Sequence, residues 1–264
     1  MSIDAALPAA VRRDRIASMV LEQGFVRVTD LRDRFGISEV TLRADLDALA
    51  DASVLQRIHG GAISNARRSE QPFEQVSLAA AAEKRAIGVA AAALVESGQA
   101  IVLDVGTTTT AIASALVARG ELRDLVIITN ALNVAAILEP AIPRFTVIVS
   151  GGTLRPLQHS LVDPLAGAVF ERIHADLAFI GCSGVDAVAG ITNVNLPEAD
   201  LKRRMLAAAT RAIVVADGSK LGLRYHSRVA PLEEIDALIT DAGASPAEIA
   251  ALESAGLEVT RAGS

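Results

Sequence analysis

Tryptophan is absent from this 264-residue sequence, tyrosine occurs once, and aromatic residues make up only 3% of it. A core must therefore be assembled from Ala, Val, Leu and Ile. The single cysteine, Cys182, excludes a disulfide framework and a multi-cysteine metal cluster. His159, His174 and His226 are too far apart in sequence for metal-ligand spacing, so no metal or cofactor is expected. No apolar run approaches the roughly eighteen residues of a membrane span, so none is expected. The N-terminal residues lack an apolar stretch of signal-peptide length, and a reducing cytoplasm is the expected location. Internal repeats are lacking as well, beyond a general enrichment in alanine.

What is present is apolar and unevenly charged. Hydrophobic residues reach 51% and charged residues 21%, enough for a real core and against wholesale disorder. The length suits one large domain, or a small one joined to a medium one. The net charge is −6, yet residues 11–68 carry ten arginines against eight acids, whereas residues 69–264 carry fifteen basic and twenty-two acidic side chains. A basic head on an acidic body suggests a division of labour.

The head reads as a small helical module. Residues 9–22 suit a helix with Val11, Ile16, Met19, Val20 and Leu21 apolar and Gly24 placed to end it. A brief extended piece follows at 25–28. Thr29 or Asp30 can cap a second helix over 31–35, which stops at Gly36. Ser38 can cap a third, to about residue 50, whose Leu42, Leu46 and Leu49 share one face. Glu39, Thr41, Arg43 and Asp47 are left near the outward side. Two short helices joined by a Gly turn form a helix-turn-helix pattern, which sets one helix on a compact support so that it can enter a DNA major groove. The alternating run 54–59, ending at Gly60-Gly61, suits a β-wing from which Arg57 and His59 reach phosphate or the minor groove.

From about residue 81 helices alternate with short, continuously apolar strands at 100–104, 125–129, 145–149, 177–180, 212–216, 237–240 and 257–259. This is the pattern of an α/β domain with a mostly parallel sheet covered on both faces. Polar residues gather where the strands end. Asp104-Val105-Gly106-Thr107-Thr108-Thr109-Thr110 runs into a helix, which suits an anion at the helix N-terminus, or simply a threonine-capped helix. It is neither a Walker loop nor a dinucleotide fingerprint. Asn130, Gly151-Gly152-Thr153-Leu154-Arg155 and Asp217-Gly218-Ser219-Lys220 occupy other strand exits, where ligands of open parallel sheets bind. Glu83-Lys84-Arg85 reads as a solvated helix face.

The run from Gly24 to Ile63 resembles the DNA-binding head of DeoR-type bacterial transcription regulators. Ser38, Thr41, Arg43, Asp45 and Leu46, then Leu55, Arg57, His59, Gly60, Gly61 and Ala62, follow the family pattern. Three positions depart from it: Ala44 replaces a second Arg, Ser53 replaces the Gly that opens the wing, and Asp163 stands where a Gly is usual. The body carries DxGTTT, TN, GGxLR, the N-x-x-E-x-x-x-K run (Asn195, Glu198, Lys202) and DxSKxG in family order. The resemblance covers about residues 11–241. It implies a winged helix-turn-helix domain over 8–63, a linker over 64–80, and a sensor domain over 81–264 with a fold like ribose-5-phosphate isomerase and CoA-transferases.

The implied DNA-contacting residues are Arg27, Thr29, Ser38, Glu39, Thr41, Arg43, Arg57 and His59. The implied effector residues are Asp104, Gly106, Thr107, Thr108, Thr109, Asn130, Gly151, Gly152, Arg155, Asn195, Glu198, Lys202, Asp217 and Lys220. The expected protein is a non-enzymatic repressor of sugar-catabolism genes. Its partners would be a double-stranded DNA operator, a phosphorylated sugar effector, and further copies of the chain in a homodimer or homotetramer, with no membrane. The alternative is a sugar-phosphate isomerase or CoA-transferase built on the body; an enzyme would have no use for the head.

Overall fold

A computed structural model describes residues 7–23, 25–52, 54–58, 60–64 and 70–263. Gly24, expected to end the first helix, and Ser53 and His59 of the wing lie outside the described residues. The chain divides into two units between Glu70 and Gln71.

The first unit runs α1 (Ala9–Gln23), β1 (Phe25–Arg27), α2 (Val28–Phe35), α3 (Glu39–Asp51), β2 (Leu55–Ile58) and β3 (Gly61–Ser64). The three strands form an antiparallel sheet in the order β1-β3-β2. Ile16, Leu31, Phe35, Leu42, Leu46 and Leu55 are buried in one core, with Ile37 packed against it. α2 begins at Val28, ahead of the expected caps Thr29 and Asp30. Val28 is buried, so core packing fixes the helix start and Arg27 occupies the cap position without a side-chain bond. Gly36, at φ +64°, ends α2 in the left-handed conformation that a turn into α3 needs. Ser38 caps α3 as expected: its Oγ accepts the Thr41 N–H at 3.2 Å.

The second unit opens with α4 (Phe73–Leu78), inside the stretch expected to be linker. From Gln71 onward the chain is fastened to the sensor. The Phe73 N–H donates to the Leu157 carbonyl at 2.9 Å, and Gln158 donates to the Gln71 carbonyl at 2.5 Å. The apolar ring of Phe73 supplies the reason: it packs edge-on against His159 at 5.7 Å.

There follow α5 (Ala81–Ala93), β4 (Ala100–Leu103), α6 (Thr107–Ala118), β5 (Leu125–Thr129), α7 (Leu132–Leu138), β6 (Phe145–Val149), β7 (Thr153–Arg155), β8 (Ser160–Val162), α8 (Ala166–Phe170), β9 (Ala175–Gly181), β10 (Gly184–Asp186), β11 (Gly190–Asn193), α9 (Leu196–Ala207), β12 (Ala209–Val215), β13 (Ser227–Ala230), β14 (Ala237–Asp241), α10 (Pro246–Ser254) and β15 (Glu258–Ala262). The seven strands read from the sequence form one parallel sheet in the order β15-β14-β12-β9-β4-β5-β6. Their side chains alternate between two cores. Ile101 and Leu103 join Ile87, Ile112 and Val134 on one face, and Val102 joins Met205, Ile249 and Leu252 on the other. From β4 the chain builds outward through β5 and β6, then returns to the other side of β4 with β9. The β4–β9 boundary is thus the point where strand order reverses, the place where open α/β sheets bind their ligands outside the carboxyl ends of the strands.

Candidate functional site

In the first unit α3 turns Leu42, Leu46 and Leu49 inward and leaves Thr41, Arg43 and Ala44 exposed. Arg43 is held by Glu39 one turn earlier, at 3.2 Å, and Arg57 on β2 by Asp47 at 2.6 Å. These are surface pairs, worth about 1 kcal/mol or less, so either guanidinium can exchange its carboxylate for a phosphate. Arg27, Thr29 and Ser38 are exposed as well. Asp45, in contrast, is buried and structural: it accepts from Arg12 Nε at 2.6 Å and Arg13 Nε at 2.8 Å, tying α3 to α1.

In the second unit the expected effector residues fall into two groups around the strand-order reversal. Asp104, directly after β4, is fully buried. It accepts the Gly181 N–H from the neighbouring strand at 3.0 Å and pairs with the Lys202 ammonium. α9 begins at Leu196, where Asn195 caps it by accepting the Glu198 N–H at 3.0 Å. The N-x-x-E-x-x-x-K run is therefore a cap followed by two residues one turn apart on a single helix face. Buried Glu198 accepts from Ser160 Oγ at 2.7 Å and pairs with Arg155 of the β7–β8 hairpin.

The second group follows β12. Asp217 is buried and accepts the Ser219 N–H at 3.2 Å, with Lys220 Nζ at 3.9 Å. Cys182 lies between the groups, acted on by the charges of Lys220, Lys202, Asp217 and Asp104, and its own burial pushes its thiol up to about 11. That makes it a neutral filler.

Gly106 precedes α6 with φ +145°, a conformation that side chains rarely adopt. The threonines after it do not act alike. Thr109 and Thr110 donate to the Gly106 carbonyl at 2.9 and 2.7 Å, so their hydroxyl protons serve the helix start. Thr108 Oγ1, Asp104 Oδ1 and Asn130 Oδ1 are buried and have no hydrogen-bond partner among the described residues. Asn130 donates from its other end to the Leu161 carbonyl at 3.1 Å, which fixes its orientation. Gly151 and Gly152 lie past the end of β6. Asp163 does not join these groups: it accepts the Gly167 N–H at 2.8 Å and pairs with Arg204 at 3.2 Å.

One buried cation was missed. Lys84, read as part of a solvated face, is 3% exposed, and its ammonium donates to the carbonyls of Val76 and Ala79, each at 2.6 Å. The Glu83-Lys84-Arg85 triplet hides this, but Lys84 stands three residues before Ile87 and four before Gly88, both buried. That helical spacing was the available signal. Among the described residues no group of His, Cys, Asp and Glu is arranged to hold a metal ion, and no helix is long and apolar enough to cross a membrane.

A helix-turn-helix unit followed by a parallel α/β unit with polar strand exits defines a DNA-binding regulator with a sensor domain. Residues 12–68 match the DeoR-like helix-turn-helix domain, and residues 79–242 the DeoR C terminal sensor domain. The chain belongs to the DeoR family of transcription regulators, which are not enzymes, so the isomerase or transferase alternative is set aside. It is 36% identical over 252 residues to the uncharacterized HTH-type transcriptional regulator YulB of Bacillus subtilis, covering 95% of this chain and 96% of that protein. To a putative aga operon transcriptional repressor of Escherichia coli O157:H7 it is 34% identical, covering 96% and 93%. Among solved structures, the full-length sorbitol operon regulator SorC of Klebsiella pneumoniae aligns with a TM-score of 0.40 at 15% identity, over 93% of this chain and 99% of that one. Ribose 5-phosphate isomerase A of Methanocaldococcus jannaschii aligns with a TM-score of 0.40 at 16% identity, over 54% and 55%.

Proposed function

We propose that the chain is a repressor of sugar-catabolism genes, released from its operator when a phosphorylated sugar binds at the β4–β9 boundary. The observation that carries this reading is the set of buried polar atoms with no hydrogen-bond partner among the described residues at the exits of the adjacent strands β4 and β5: Asp104 Oδ1, Thr108 Oγ1 and Asn130 Oδ1. Buried polar atoms nearly always have a partner. Two of these three are acceptors, which suits hydroxyl groups that donate. Lys202, Lys220 and Arg155 supply positive charge near them, and the start of α6 supplies free N–H groups. A polyol bearing an anion answers both features. The relative from Escherichia coli O157:H7, a putative aga operon transcriptional repressor, agrees with control of an operon.

On the DNA side, the exposed face of α3 with Thr41 and Arg43, flanked by Ser38, Glu39, Arg27 and Thr29, enters the major groove. The wing, with Arg57 and His59, touches the backbone or minor groove. A single 13-residue recognition helix reads few base pairs, so the working form is a homodimer or homotetramer on repeated half-sites, acting in the cytoplasm.

The test is electrophoretic retardation of DNA flanking the protein's own gene, with and without a panel of sugar phosphates and their unphosphorylated sugars. Retardation relieved by one phosphorylated member alone is the expected result. A protein that retards no fragment at low salt, or is released by the neutral sugar equally well, defeats the proposal.

A further inference from the structure

Lys84 is the buried cation that the reading above does not use. Its ammonium grips Val76, in the last turn of α4, and Ala79, the residue that ends that helix. α4 has six residues, no buried side chain and no side-chain cap. A helix that short does not sustain itself in water. Two charge-assisted bonds at its carboxyl end, where a cation also suits the helix dipole, are thus important anchors. The same stretch is the first structured part of the sensor that the chain reaches after the DNA-binding unit.

Lys84 also feels the second charge group. After the cost of burial itself, the influences on its proton affinity are Lys220, which lowers it, then Asp217 and Glu83, which raise it; the outcome is a value of about 8. Lys220 and Asp217 are two of the candidate effector residues. α5, which carries Lys84, packs along α6, whose first turn holds Thr108. An ammonium held in surroundings that disfavour its charge, and used to fasten a turn, responds to any anion placed beside Lys220: the repulsion is cancelled and its hydrogen bonds strengthen.

We propose that Lys84 is a positioning residue that carries occupancy of the sensor site to residues 73–80. An anion seated beside Lys220 tightens the hold of Lys84 on the Val76 and Ala79 carbonyls and stiffens the segment by which the DNA-binding unit is tethered. This rests on the anion-binding reading given above. Linkage makes the effect reciprocal: loosening the segment weakens the anion.

The experiment is amide hydrogen exchange on the full-length protein, wild type and Lys84→Met, with inorganic phosphate and ribose 5-phosphate as probes, and calorimetry on the same samples. Met keeps the length of the stem and removes the charge. In the wild type, a probe that binds is expected to slow exchange over residues 76–84 several-fold. Lys84→Met is expected to exchange faster there without probe and to show no slowing with it, while calorimetry still records binding through Lys220. Unchanged exchange in wild type despite measured binding overturns the proposal, as does equal slowing in Lys84→Met. If neither probe gives heat with wild type, the anion reading fails for these ligands. The probe-free comparison then still decides the latch, because equal exchange in the two proteins means that Lys84 holds nothing.

Discussion

Lys202 and Asp104, 98 residues apart in sequence, meet as a buried ion pair beside the point where strand order reverses. Complete burial raises the proton affinity of Asp104 against the opposing pull of Lys202. Burial also works against the charge of Lys202, but Asp104 and Glu198 together outweigh it and hold the ammonium protonated. The pair stands because each partner offsets the other's lost hydration. Lys202→Met leaves Asp104 buried without its cation and is expected to cost about 3–5 kcal/mol at neutral pH. Adding Asp104→Asn to that variant should restore most of the loss. Urea unfolding of the three proteins measures both quantities, and a single-variant cost below about 1 kcal/mol would mean that the pair is solvated.

Much of this arrangement was legible in the sequence because its strongest signals are local. The inner strands of the large sheet, such as β4, β5, β9 and β14, are mostly apolar runs because they are covered on both faces, whereas edge strand β15 is polar and largely exposed. The small strands β7, β8, β10, β11 and β13 escaped notice: they are three or four residues long, broken by glycine and polar residues, and paired through tertiary context. Asn195 and Glu198 were read as motif members and not as a helix start, although Asn followed three residues later by Glu is itself a capping signal. The pairing of Asp45 with Arg12 and Arg13, and of Asp104 with Lys202, spans distances in sequence that no periodicity reports. Residues 64–80 read as linker because the stretch from Ser64 to Pro72 is polar, yet one aromatic ring and one buried lysine fasten the part from Gln71 to Ala80 to the sensor.

The Asp45 junction should be measurable as DNA-binding strength, although Asp45 touches no DNA. It is 1% exposed and accepts from two guanidinium groups, of which Arg12 is itself largely buried. Asp45→Ala strands these cations and uncouples α3 from α1. The expected cost is about 2–4 kcal/mol in the unfolding of the first unit, with the sensor transition unchanged. Operator affinity should fall and recover partly on cooling toward the stability maximum. A variant with wild-type stability and weakened DNA binding would place Asp45 in direct contact with the operator.

Lys84 gives the protein a pH dependence of definite sign. Its proton affinity in the folded state is about 8, below its ordinary value of 10.5. Below pH 8 both folded and unfolded chains carry the charge, and the folded state bears the full cost of burying it. Between about 8 and 10.5 the unfolded chain binds the additional proton, so this residue's contribution to stability improves as pH rises. Lys84→Met removes that slope. The stability difference between variant and wild type, from urea midpoints, should therefore shift in favour of wild type between pH 7 and pH 10. A difference that stays constant across that range would show that Lys84 titrates as a solvated lysine. The charges facing it, Lys220, Asp217 and Glu83, are common to both proteins and cancel in the comparison.

Arg43 and Lys220 separate the two activities. Arg43 is 58% exposed on the outward face of α3, and its bond to Glu39 is a surface pair that a phosphate can replace. Arg43→Ala should therefore weaken operator retention and reduce the slope of log affinity against log salt by about one, while calorimetric binding of the effector is unchanged. Lys220 is mostly buried beside Asp217 in the other unit. Lys220→Ala should leave both operator affinity and its salt slope intact and abolish release by the sugar phosphate. The salt slope is the sharper measurement, because a change in folding alters affinity without removing one counterion from the interface. An Arg43→Ala protein with a wild-type slope takes that guanidinium off the DNA, and a Lys220→Ala protein that still releases its operator takes that ammonium out of the effector site.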